Sequence, residues 1–192
     1  MEKRSKRRWW LWGGGLVGIL AAVALMSCDD SNGATTDPRV QQGLNIVPVQ
    51  LNMTGKDHNQ VGLGSYLVNA VGGCNDCHTF PNFAAGGNPF VGQPKQINTT
   101  NYLAGGRAFG PVCSRNVTPD STGKPAGLDL PTFLKVLRTG ADVDHPGQLL
   151  QVMPWPNFQN MTDDDLTAIY VYLSAIPSAQ PASGVSGGCI PQ

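Results

Sequence analysis

The chain has 192 residues, of which 24 are glycine and 15 are proline, and only 14% are charged. A length of this order accommodates one domain of ordinary size together with targeting and linker segments. The low charged fraction excludes a typical disordered protein, and the glycine and proline content predicts a compact fold with long loops.

The net charge of zero conceals an uneven distribution. Of the 13 basic and 13 acidic residues, five basic ones and one acid lie among the first eight positions, which leaves 8 basic and 12 acidic residues in the rest of the chain. An acidic body argues against nucleic acid as a partner. The acidic charge does not indicate which kind of protein the chain binds.

The first thirty residues have the pattern of an export signal, in which a basic cluster precedes an apolar run. The residues Leu25–Cys28 resemble the lipobox of bacterial lipoproteins. That resemblance implies that residues 1–27 are a cleaved signal peptide and that Cys28 carries lipid. The alternative is an uncleaved anchor helix over Trp9–Met26, which is barely long enough to span a bilayer. Both interpretations place the rest of the chain outside the cytoplasm on a membrane tether.

Residues 28–50 are polar and show no helical periodicity, so they are predicted to form a flexible tether. The folded domain is assigned to residues 51–177, and residues 178–192 form a tail. Asp29 follows Cys28 directly and resembles the inner-membrane retention signal of enteric lipoproteins. The expected location is therefore the periplasmic side of a bacterial membrane, with a lipid anchor in the inner membrane.

The sequence Cys74-Asn75-Asp76-Cys77-His78 is the attachment signature of c-type haem. Residues i and i+3 share one face of a helical turn, so both sulfurs can reach the two vinyl groups of one haem. His78 can then present its imidazole to the iron. A redox disulfide would not need this histidine, and a zinc site would need a fourth ligand. The predicted cofactor is one covalent haem c.

From this motif onward the chain resembles the class I cytochrome c family, here the single-haem bacterial type. The resemblance implies a mostly α fold, with three to four short helices around a haem. In that family a helix bearing a glycine and an aromatic residue precedes the motif and packs across the C-terminal helix. Gly62 and Tyr66, on a predicted helix over Asn59–Gly72, match by position. A Gly/Pro-rich insertion at about residues 80–127 departs from the compact pattern.

Part of the insertion, residues 115–123, resembles a segment of cytochrome subunits that serve periplasmic dehydrogenases. The resemblance implies that this loop lies near the haem edge, where Arg115 or Asn116 would reach a propionate. The equal alternative is that both are surface-loop residues. A helix over about Leu130–Thr139 follows and ends at Gly140.

Met153 is the candidate for the second axial ligand of the iron. It lies in an apolar loop in which prolines on both sides of Trp155 restrict the backbone. This stretch resembles the "MPW…LTDDD…YL" ending of many bacterial cytochromes c, whose methionine is the distal ligand. Trp155 is a further candidate cofactor contact. His145 is the alternative ligand, and its imidazole would lower the reduction potential relative to a thioether.

The last helix follows from an apolar face with helical spacing between Leu166 and Ile176. Thr162 is the predicted N-cap. Three aspartates, Asp163–Asp165, crowd the first turn, where the helix dipole favours negative charge. We interpret them as a helix start rather than a metal site, and Pro177 ends the helix.

Two cysteines, Cys113 and Cys189, remain after the lipid and haem positions are assigned. Free thiols are disfavoured in an oxidising compartment. A disulfide between these two residues is therefore expected, and it would attach the tail at residues 178–192 to the insertion.

An iron held by His78 and Met153 has no open coordination position, which favours electron transfer over catalysis. The sequence thus predicts an electron-transfer protein, either a membrane-tethered carrier or the cytochrome subunit of a dehydrogenase or oxidase complex. Its expected partners are a periplasmic dehydrogenase, another cytochrome or a terminal oxidase. The alternatives are a haem enzyme such as a peroxidase, which needs a labile distal ligand, and a redox or gas sensor.

Overall fold

The structure is a computed structural model that describes residues 37–184 and 188–189. Its elements are α1 (Pro38–Asn45), α2 (His58–Tyr66), a π-helical segment (Leu67–Val71), α3 (Cys74–His78), a 3-10 turn (Pro89–Val91), β1 (Ala108–Phe109), β2 (Val112–Cys113), α4 (Leu130–Thr139), α5 (Trp155–Phe158) and α6 (Asp163–Ala175). The prediction of a mostly helical fold is confirmed. The predicted signal peptide and Cys28 lie outside the described residues.

The helix α1 corrects one prediction. Residues 28–50 were expected to form a flexible tether, but the chain is helical and packed from residue 38 onward. The carboxylate of Asp37 accepts a hydrogen bond from the backbone N–H of Arg39, and Pro38 occupies the first turn, where its missing N–H costs nothing. Val40 is buried. The folded domain therefore begins well before residue 51.

The helix α2 packs between α1 and α6, and two glycines allow both close approaches. A Cβ atom on Gly64 would lie 1.9 Å from the backbone oxygen of Ala168 in α6. A Cβ atom on Gly62 would instead lie 2.6 Å from Cγ1 of Val40 in α1. The assignment of Gly62 to the crossing with the C-terminal helix is thus wrong, and Gly64 makes that contact. Positions two apart on a helix are separated by roughly 200° around its axis, so the two glycines face opposite neighbours.

The helices α4 and α6 form where the sequence predicts them, because both have strong local end signals. The side chain of Asp129 accepts from the N–H of Thr132 at the start of α4, and Gly140 ends the helix in the left-handed conformation. The hydroxyl of Thr162 accepts from the N–H of Asp165 at the start of α6. The aspartates of this turn therefore mark a helix start.

One core lies among α2, the π-helical segment, α4, α6 and the insertion. None of the helices in the described part of the chain combines the length and apolarity needed to cross a bilayer. The buried core residues are Val61, Leu67, Val68, Tyr102, Leu103, Phe133, Leu137, Leu166, Ala168, Ile169, Tyr172, Leu173, Ala175 and Ile176.

The tail runs along the insertion and is bonded to it. Cys113 and Cys189 form the expected disulfide, with 5.9 Å between their Cα atoms. The carbonyl of Ala179 accepts from the Asn116 amide at 2.8 Å, and that of Gln180 accepts from the Asn101 amide at 2.8 Å. The insertion thus has little regular structure of its own and is held by the tail.

Candidate haem-attachment site

The attachment turn is the single helical turn α3. Gly73 precedes it with φ 55°, in the left-handed region that favours glycine. Cys74 and Cys77 are three positions apart on this turn, and both are free thiols. Residues at this spacing lie on one helical face, so the two sulfurs are presented to the same side.

The imidazole of His78 is held in one tautomer. Its Nδ1 lies 2.8 Å from the backbone oxygen of Arg115. A carbonyl oxygen only accepts hydrogen bonds, so Nδ1 carries the proton and Nε2 keeps its lone pair, the form that binds a metal. Desolvation by the surrounding protein lowers the pKa of His78, and the bond to Arg115 opposes that shift only in part. The imidazole is therefore neutral at pH 7.

Burial raises the pKa of both thiols of the turn. Desolvation raises the pKa of Cys74 to about 12. The same effect raises the pKa of Cys77, against the opposing influence of the Arg107 guanidinium. Two cysteines that are not in a disulfide and one unprotonated imidazole nitrogen on a single turn fit the requirements of a c-type haem. Within the described residues, no group of three or more Cys, His, Asp or Glu side chains is arranged to hold a metal ion.

The insertion braces the attachment turn from outside. The backbone N–H of Gly105 donates to the oxygen of His78 at 2.6 Å, and that of Leu103 donates to Oγ1 of Thr79 at 2.8 Å. The amide of Asn82 donates to the backbone oxygen of Asp76 at 3.1 Å. The long insertion is therefore part of the site, because it supplies hydrogen-bond partners for two backbone oxygens of α3 and for the side chain of Thr79, which follows it.

A buried polar network, which the sequence did not reveal, lies behind the turn. The amide of Asn69 donates to the hydroxyls of Ser65 and Tyr172, and its oxygen accepts from the hydroxyl of Tyr102. The two tyrosine oxygens are 2.9 Å apart, and both side chains are buried. Asn69 sits in the π-helical segment, whose wider turn changes the direction of the side chains that follow.

Met153 and Trp155 occupy a braced loop at the margin of the core. Met153 is half-buried against core residues. Nε1 of Trp155 donates to the oxygen of Leu150 at 3.1 Å, and its ring packs so closely on Gly140 that a Cβ atom there would lie 2.3 Å away. The loop is thus restrained as the flanking prolines predicted, while the iron ligation by Met153 stays a prediction.

The other candidate site residues, Arg115, Asn116 and His145, are all bonded to protein groups. The Arg115 guanidinium pairs with Asp144 and donates to the oxygen of Ala126. Asn116 donates to the tail and accepts from Thr118, so its side chain joins two protein segments. His145 is exposed and bonded to Asp142 at 3.0 Å, as expected of a loop histidine. The functional contribution that sequence reasoning missed is the Arg115 carbonyl, because a backbone acceptor has no signature in the sequence.

Comparison with known proteins identifies similar cytochrome subunits of dehydrogenases. The chain is 33% identical over 134 residues to the cytochrome c subunit of a quinone-type alcohol dehydrogenase from Gluconacetobacter polyoxogenes, covering 65% of this chain and 26% of that protein. It is 31% identical over 109 residues to the gluconate 2-dehydrogenase cytochrome c subunit of Pantoea cypripedii, covering 57% and 21%. It is 32% identical over 117 residues to the fructose dehydrogenase cytochrome subunit of Gluconobacter japonicus, covering 59% and 20%.

These relatives are much longer than the region they share with this chain, since the match spans about a quarter of their length or less. No family model matches the chain. The helical fold, the attachment turn and the similarities together support a c-type cytochrome. The three relatives named above are cytochrome subunits of dehydrogenases, which is consistent with an electron-transfer protein rather than a catalytic subunit.

Proposed function

We propose that this protein is a single-haem electron-transfer cytochrome of the class I type that works beside a dehydrogenase. The observation that carries the proposal is the attachment turn, where two free thiols and a histidine with a fixed tautomer lie within five residues. Cys74 and Cys77 would hold the haem through thioether bonds. His78 would bind the iron through Nε2.

Met153 would supply the second axial ligand. Its half-buried side chain lies in a loop that Trp155 and Gly140 restrain, so little ordering entropy is lost when the thioether binds. When bound, the haem would supply a one-electron ferric/ferrous couple. With both axial positions filled by protein, the residues favour passage of electrons over binding of a substrate at the iron.

The partners and the location are proposed from the relatives and from the N-terminal sequence. The named relatives serve alcohol, gluconate and fructose dehydrogenases, so a dehydrogenase is the proposed electron donor. Another cytochrome or a terminal oxidase is the proposed acceptor. The lipobox-like sequence at Cys28 supports a lipid anchor on the periplasmic side of the inner membrane.

The first test is the optical spectrum of the full-length, haem-loaded protein and of Met153→Ala. The wild type is expected to show the ferric charge-transfer band of sulfur ligation and slow carbon monoxide binding in the ferrous state. Met153→Ala is expected to lose the band and to bind carbon monoxide rapidly.

Met161→Ala is the matched control, because Met161 is also half-buried at the core margin but precedes the cap of α6. It should keep the band. A high-spin wild-type spectrum would contradict the electron-transfer assignment, and a band that survives Met153→Ala would contradict the ligand assignment. Intact mass should show one haem and, on Cys28, lipid.

A further inference from the structure

Arg115 contacts two separate parts of the candidate site. Its backbone oxygen accepts the hydrogen bond from Nδ1 of His78. Its guanidinium pairs with the carboxylate of Asp144 and donates to the oxygen of Ala126 at 3.0 Å. One residue therefore joins the histidine to a loop that begins 25 residues further along the chain, at Gly140.

The loop that carries Asp144 is closed at its base. Ala141 and Leu149 form an antiparallel bridge, and the N–H of Leu150 donates to the oxygen of Gly140 at 2.8 Å. At the tip, the N–H of Asp144 donates to Oδ1 of Asp142 at 2.9 Å. The loop is thus hydrogen-bonded at both its base and its tip, so a displacement of Asp144 is expected to displace the base of the loop as well.

The base of this loop is in turn bonded to the segment that contains Met153. Nε1 of Trp155 donates to Leu150, the Trp155 ring packs on Gly140, and the N–H of Trp155 donates to the oxygen of Met153 at 2.8 Å. A continuous series of contacts therefore connects His78 with the segment that contains Met153.

We propose that the Arg115–Asp144 ion pair is a positioning device that keeps Met153 on the iron by holding its loop to the segment that orients His78. This inference rests on the proposed function, since it assumes a haem with Met153 as ligand. Arg115 and Asp144 are positioning residues and need not touch the haem.

The expected effect is moderate because the pair is partly exposed. The two side chains retain 32% and 39% of their accessible surface. Ion pairs of this exposure are typically worth about 0.2–1 kcal/mol, which corresponds to roughly a 1.4- to 5-fold change in an equilibrium constant. Loss of the pair should raise the fraction of molecules with Met153 off the iron by that factor.

The experiment measures imidazole binding to the ferric, haem-loaded, full-length protein, because imidazole competes with Met153 for the iron. Arg115→Gln and Asp144→Asn are each expected to raise the apparent affinity roughly 1.4- to 5-fold. The double variant should match Arg115→Gln, since the ion pair is already lost in that single variant. The exchanged pair Arg115→Asp with Asp144→Arg should return towards the wild type.

Two further variants separate positioning from general destabilisation. In the Met153→Ala background, Arg115→Gln should leave imidazole affinity unchanged, since there is no methionine to displace. Arg39→Gln is the matched control, because the Arg39–Asp37 pair lies at the start of α1, and it should behave as the wild type.

Three results would overturn the proposal. In the first, the wild type shows the methionine band while Arg115→Gln and Asp144→Asn bind imidazole with the wild-type affinity. That result contradicts this inference and leaves the proposed function standing. If Arg115→Gln shifts affinity or reduction potential and Asp144→Asn does not, Arg115 acts directly on a propionate and the pair is not the device. A wild type without the methionine band overturns the proposed ligand and this inference together.

Discussion

Individual polar side chains at this site are assigned their roles by hydrogen-bond partners that lie far away in the chain. Arg115, whose carbonyl determines the tautomer of His78, is 37 positions from it. Tyr102 and Tyr172 are 70 positions apart, and their hydroxyls share the amide of Asn69. Burial raises the pKa of Tyr102 well above its ordinary value of 10.0, with a further contribution from Tyr172. Each such side chain is satisfied only in the complete fold.

The raised pKa of Tyr102 predicts a loss of stability at high pH. The folded state holds the phenol neutral while the unfolded state releases its proton, so the contribution to stability is complete below about pH 10 and falls as pH rises above it. The free energy of unfolding, measured by urea titration at several pH values around and above about pH 10, should decrease as the pH rises. Tyr102→Phe should make it shallower and should also cost about 1–3 kcal/mol at neutral pH, because Asn69 loses a donor.

Tyr66→Phe is the control at neutral pH, since the hydroxyl of Tyr66 is outside this network. It should cost less than Tyr102→Phe. An unchanged alkaline profile in Tyr102→Phe would mean that this phenol is not the group responsible.

At the level of elements, close helix contacts determine how α1, α2 and α6 assemble. The glycines of α2 allow its backbone to lie directly against α1 and α6. The hydrophobic pattern of the sequence does not specify these close contacts. Local signals did specify other elements: the caps at Asp129 and Thr162 mark α4 and α6. The helix α1 was missed because two glutamines and a glycine interrupt its apolar pattern. It is stabilised by packing on Gly62, which is a tertiary contact.

The contact of Gly64 with α6 predicts a severe effect from a single methyl group. Gly64→Ala would place its Cβ 1.9 Å from the oxygen of Ala168, so α2 and α6 must separate. The higher helix propensity of alanine stabilises the folded state by about 1 kcal/mol. Overpacking at a rigid backbone contact destabilises it by about 1–3 kcal/mol or more. A lower urea midpoint is expected. Asn59→Ala, at an exposed position in the first turn of α2, should leave the midpoint nearly unchanged, and equal midpoints for both variants would contradict the packing.

At the scale of the whole molecule, the tail and its disulfide hold the long insertion against the helical core. The Cys113–Cys189 bond closes a loop with a sequence separation of 76 residues, which contains α4, α5 and α6. The insertion in turn braces the haem-attachment turn through Leu103 and Gly105. The tail thus supports the insertion that contacts the site.

Removal of this disulfide should destabilise the domain and loosen the insertion. The double variant Cys113→Ser, Cys189→Ser is expected to lose roughly 2–4 kcal/mol of unfolding free energy, since the unfolded chain regains the freedom of a long loop. Urea unfolding under oxidising conditions measures the loss. A thiol reductant should weaken the wild type towards the variant and leave the variant unchanged; a variant as stable as the oxidised wild type would contradict the prediction.

The sequence by itself determined the chemistry of the attachment turn and the ends of α4 and α6. The thiols, the histidine and the capping side chains act within one helical turn, so their geometry follows from residues a few positions apart. The cysteine count also gave the correct disulfide. Only the tertiary structure decided which glycine faces which helix, that residues from Pro38 belong to the domain, and that the carbonyl of Arg115 orients His78. Those features depend on backbone atoms and on contacts between distant segments, and neither leaves a pattern in the order of the residues.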